Sequence, residues 1–128
     1  MSCFWDAIVQ MLTNSDYAFA GCDRTKTKYE LIYLLQKNTR RMVNVSWQNE
    51  ILTERFVDEM IEYIKSYDVN NINNGHLTSG CEGFLLLISE LFYLNIDHYY
   101  MKHLIKYRHS MARRRVVFSS TSSHFKLI

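Results

Sequence analysis

The stretch "CEGFLLLISELFYL", residues 81–94, constrains this chain more than any other. It is apolar almost all round at the helical period, so no face of it can be left to water. A helix of this kind has to be enclosed, and the rest of the chain must supply the enclosure. Ser79 and Glu82 form a capping box at its start. Gly83, in its first turn, marks a place where a neighbouring element packs close. The chain has 128 residues, enough for one domain around one core. The expected domain is therefore 1–128, undivided.

The enclosing elements can be read in order. Residues 3–13 predict a helix that buries Phe4, Ile8 and Leu12, with Ala7 and Met11 beside them. "TNSDYAFAGCDRTKTK" reads as a loop. Thr27 and Glu30 make a capping box that opens a second helix, "YELIYLLQKNTRRM". Ser46 to Tyr67 reads as a third helix, with Phe56, Met60, Tyr63, Ile64 and Tyr67 as its apolar stripe. Glu54, Asp58, Glu59 and Glu62 fall largely on its solvated side. After the asparagine-rich loop and the apolar helix, "NIDHYYM" alternates like a strand. "RVVFS", a Ser/Thr turn and "HFKLI" read as a terminal hairpin. Helices first and strands last predict an α+β fold, with helices packed on a small, mainly antiparallel sheet.

Composition narrows the function classes. The formal net charge is only +2, and no sustained run of one sign is evident, so a nucleic-acid partner is not expected. No segment approaches the roughly 18 apolar residues of a membrane span, so no membrane insertion is expected. The apolar start lacks a basic leader and carries Asp6, unlike a secretory signal. The three cysteines, Cys3, Cys22 and Cys81, have no disulfide-framework spacing. These features together point to an intracellular setting. Cys22, Cys81, His76 and His98 match no zinc-ligand spacing, so neither a metal nor another cofactor is expected. "KHLIKYRHSMARRR" gathers Lys102, Lys106, Arg108, Arg113, Arg114 and Arg115. It reads as a solvated connection ahead of an edge strand, with a phosphate-contacting patch as the alternative.

The two ends of the chain carry the chemistry. Cys3 stands at the start of the first predicted helix, where unpaired N–H groups and the helix dipole stabilise a thiolate. The same N–H groups can stabilise an oxyanion on a substrate carbonyl. A cysteine nucleophile needs a base, and His124 opens the last predicted strand behind a turn of small residues.

Four stretches in this order resemble the ovarian tumour (OTU) family of papain-like cysteine proteases. "CFWDAI" resembles the family's nucleophile helix, and "RFVDEMIEYI" a helix that begins with arginine. "GCEGFLLLISELFYLNIDHYY" resembles its Gly-x-Glu helix and following strand, and "VVFSSTSSHFKLI" its terminal hairpin. The resemblance implies a papain-like fold and a deubiquitinase-type activity. Cys3 would be the nucleophile and His124 the base, with the Ser2 and Cys3 N–H groups holding the oxyanion. Ubiquitin or ubiquitin-like conjugates would be the substrates. Lys126 occupies the position two after the histidine where many members have an acid or amide. Asp97, or a Ser/Thr of the turn, would then be the third member. Only Met1 and Ser2 precede Cys3, where members have an Asp-Gly-x lead-in. The alternative is therefore a catalytically decayed OTU-like binding or structural protein. The Asn-, Ile-, Lys- and Tyr-rich usage hints at an AT-rich genome, and so at a viral particle component among viral structural proteins. The setting would then be host cytoplasm or virion.

Overall fold

The computed structural model describes residues 3–72 and 81–128. Helix α5 (Cys81–Phe92) is the axis of the fold, and nearly every residue from Cys81 to Phe92 is buried. Helix α4 (Glu54–Ser66) lies across its first turn. A Cβ on Gly83 would stand 3.3 Å from Met60 Sδ, so the glycine admits α4 as the sequence predicts. Ser79, half of the expected capping box, lies outside the described residues. One ionisable side chain is enclosed with the apolar ones. Glu90, 1% exposed, accepts the Asn44 backbone N–H at 2.9 Å and the Asn44 side-chain amide at 3.0 Å. Arg40 adds an ion pair at 3.4 Å, so this carboxylate ties residues 40–44 to the axis.

Helix α1 (Cys3–Met11) buries the expected face, and Trp5 besides. The predicted loop after it is partly helical. Helix α2 (Asn14–Phe19) is opened by Thr13, whose hydroxyl accepts the Asp16 N–H while Asp16 Oδ2 accepts the Thr13 N–H. Aspartate closes this capping box where glutamate is usual. Thr27 caps helix α3 (Lys28–Lys37) as predicted, accepting the Glu30 N–H at 3.1 Å. That helix ends sooner than expected. The Asn38 and Thr39 side chains donate to the carbonyls of Leu34, Leu35 and Gln36, satisfying its last turn.

The predicted third helix is corrected more strongly. Its first part is a hairpin, β1 (Val45–Trp47) and β2 (Glu50–Ile51). Gln48 and Asn49 both have left-handed backbones, φ 55° and 66°, the signature of a two-residue hairpin turn. Helix α4 starts only after Thr53, which accepts the Phe56 N–H.

The sheet is completed by β3 (Leu94–Tyr100), β4 (His103–His109), β5 (Arg114–Ser120) and β6 (Phe125–Leu127). Its six strands run in the order β2-β1-β4-β3-β5-β6. All neighbours are antiparallel except β3 and β5. The chain is thus a single-domain α+β structure with an open mixed sheet, mainly antiparallel. Helix α1 packs on β6, and α5 packs on β1, β3 and β4. Ile96, Tyr107, Val116 and Phe118 face the helices and are buried. None of the described helices is long and apolar enough to cross a membrane.

Candidate active site

Cys3 is the first residue of α1, and His124 immediately precedes β6. What joins them is the next residue of each element. The rings of Phe4 and Phe125 meet edge to face with centroids 4.8 Å apart, both buried. The helix start and the strand start therefore share one corner of the molecule. Cys3 is half-buried and His124 exposed, so the corner is open to solvent. The turn ahead of His124 is closed on itself, because the Thr121 N–H donates to the His124 carbonyl at 2.8 Å. Ser2, expected to supply one oxyanion N–H, lies outside the described residues.

A buried pair backs this corner. His98 Nε2 and Ser120 Oγ are 2.5 Å apart, and the His98 ring lies 5.0 Å from that of Phe125. Ser120 ends β5 just before the turn that leads to His124. From sequence, His98 had only a dismissed metal reading, since the β3–β5 register that brings it to Ser120 cannot be read from spacing.

Asp97 does not meet the expectation of a third triad member. Its carboxylate is 3% exposed and held by Arg108 at 2.7 Å and Arg115 at 2.6 Å. Burial alone would raise its pKa. The two guanidinium groups outweigh that and hold it below the usual carboxylate range. The register also keeps it away from His124. Asp97 is opposite Val117, whose carbonyl accepts the N–H of Ile128, four residues beyond His124. At about 3.3 Å per residue and about 4.8 Å per strand, the two α-carbons are roughly 16 Å apart. No carboxylate–imidazole hydrogen bond spans that.

The basic segment is corrected too. All four of its arginines are committed to structure. Arg113 and Arg114 bind Asp16 at 2.7 and 2.6 Å, and Arg108 and Arg115 bind Asp97. Asp16 is fully buried. Burial would raise its pKa, but hydrogen bonds from Arg114, the Thr13 N–H and Arg113 bring it down to about 2. Arg113 also lies over the Phe19 ring, 4.2 Å from its centroid. Strand β5 is not an edge; it lies between β3 and β6.

The other thiols are poor nucleophiles or stand elsewhere. Burial pushes the Cys81 thiol up to about 12, far from thiolate at neutral pH. Cys22 lines a groove of about 610 Å³ with Tyr29, Tyr33 and Lys37, and neither Cys3 nor His124 borders it. Among the described residues, no group of His, Cys, Asp and Glu is placed to hold a metal ion. Comparison with family models, with curated proteins and with solved structures finds no match to this chain.

Proposed function

We propose that the chain is a cysteine hydrolase of OTU type, acting on ubiquitin or ubiquitin-like conjugates through a Cys3–His124 dyad. The observation that carries this reading is the Phe4–Phe125 contact. It brings the first residue of a helix and the residue leading a strand to one open corner. Cys3 attacks the peptide or isopeptide carbonyl as His124 takes the thiol proton. The imidazolium then protonates the leaving amine, and water releases the acyl group from sulfur. N–H groups at the start of α1 face the developing oxyanion. The His98–Ser120 pair behind Phe125 keeps the β5–β6 turn in place.

A second reading is supported by Asp97. The carboxylate expected to orient the imidazole is consumed by two arginines, so the domain is instead a decayed relative that binds rather than cleaves, for example as a viral particle component. A thiol-reactive ubiquitin probe separates the two. The enzyme reading expects labelling at Cys3, lost in Cys3→Ala and in His124→Ala. Absence of labelling from about pH 6 to 9, which brackets the imidazole and thiol titrations, gives the site to the second reading.

A further inference from the structure

The side of the sheet turned away from α5 carries no described helix, and its composition is not that of an ordinary wet face. The register sorts its side chains into rows. Lys106, Asp97 and Val117 are successive partners across β4, β3 and β5, and Ile128 follows through its amide bond to Val117. Leu104, Tyr99, Ser119 and Lys126 form the next row. Arg108 and Arg115 join this side because both reach Asp97. Leu104 and Tyr99 in one row and Val117 and Ile128 in the other therefore make a diagonal apolar strip beside the Asp97 cluster. Leu104 and Val117 are half-buried, and Ile128 is 70% exposed. Lys106, Arg108, Arg115 and Lys126 flank it. The one carboxylate in these rows, Asp97, is buried and already spent on the two arginines. Four cations against one carboxylate leave an excess of three on this side, in a chain whose total formal charge is +2. The balancing acids stand elsewhere, with Glu54, Asp58, Glu59 and Glu62 exposed along α4.

We propose that this face docks an acidic amphipathic helix of a partner protein, with the partner's apolar stripe on Tyr99, Leu104 and Val117 and its carboxylates on Lys106 and Lys126. An apolar strip bordered by charged side chains suits a protein–protein contact. A sheet that binds single-stranded nucleic acid stacks successive bases on several aromatics, and these rows contain only Tyr99. Four strands at about 4.8 Å and seven residues at about 3.3 Å give a patch of roughly 400 Å². That is about half of one side of a stable domain–domain interface, and suits a single helix about 10 Å across. The docking face adjoins the Cys3–His124 corner through Lys126, two residues beyond His124, but does not depend on that corner's activity.

The test uses a fluorescein-labelled peptide of about 18 residues, made of Glu and Leu with Leu at helical spacing, and reads anisotropy. Saturable binding is expected, weakened at least about tenfold by the double substitution Lys106→Glu, Lys126→Glu and about fivefold by Tyr99→Ser. A peptide of the same composition with Leu out of helical register should bind at least about fivefold more weakly. Thermal unfolding checks that the variants fold. If the double Glu variant does not, Lys106→Gln with Lys126→Gln replaces it. The proposal is overturned by absence of saturable binding, by equal binding of the variants or by equal binding of the disordered-pattern peptide. Tighter binding of an oligothymidine or of phosphatidylserine vesicles also overturns it. So does concentration-dependent self-association abolished by the same lysine substitutions, which would give the face to the acidic α4 of a second copy.

Discussion

Asp16 joins three parts of the chain through one buried carboxylate. Its carboxylate caps α2 through the Thr13 N–H and binds both Arg113 and Arg114, 97 and 98 positions along the chain. Asp16→Asn keeps the shape but removes the charge between two guanidinium groups. We expect a loss of about 3 kcal/mol in urea unfolding at pH 7. The folded-state pKa, about 2, lies below the ordinary 3.8, so the unfolded chain binds the proton more readily. The stabilisation is complete above about pH 4 and is lost as pH falls through 2, by roughly 2 kcal/mol. Asp97 acts with the same sign, so part of the acid sensitivity persists in Asp16→Asn. His109 adds a second window. Burial lowers its pKa, so the unfolded imidazole is protonated first as pH drops below about 6.5. Stability should fall through that range, and His109→Gln should flatten it, as read by melting temperature against pH. Asp97→Asn separates structure from chemistry. It should lower stability yet leave the rate of Cys3 labelling within about twofold, where loss of a true triad member costs orders of magnitude.

Elements were legible wherever one signal acted alone. The apolar run of α5, the Thr27 cap and the alternation of β3 and β5 all appear where their residues place them. Residues 46–52 misled because Trp47 and Ile51 are spaced like one helix face. The decisive feature is the Gln48–Asn49 pair, whose left-handed backbone residues other than glycine rarely adopt. Asn49→Gly should therefore stabilise the hairpin by up to about 1 kcal/mol in thermal unfolding. α2 was missed although Thr13 and Asp16 stand at capping-box spacing, because its six residues are too few to show an apolar period. The Gly83 contact gives the opposite sign to the Asn49 change. Gly83→Val would drive its methyl groups into Met60 and Ile64, and we expect a loss of about 1–3 kcal/mol. Of the candidate site, Cys3 and His124 were legible because they stand at element starts. The place of Asp97 was not, since strand order and register decide which arginines a carboxylate meets.

At the scale of the molecule, the fold is closed by its first helix and its last strand. Phe125 is 1% exposed and packs against Phe4, Phe118 and His98. Phe125→Ala should cost about 3–5 kcal/mol. It should also speed hydrogen exchange in α1 more than in α3, because α1 packs directly on β6. β5 enters the sheet beside β3 rather than beside β4, so β3 and β5 pair directly and in parallel, with β4 between them in the chain but not in the sheet. Such pairing has to wait until the whole β3–β5 segment is present. The Phe4–Phe125 closure carries the same ordering into biosynthesis. During translation Cys3 leaves the ribosome long before β6 is made, so its thiol spends that interval without the strand that later covers α1. Through that interval the proposed nucleophile is on the chain with no imidazole beside it. The Cys–His corner is assembled only once β6 is in place against α1.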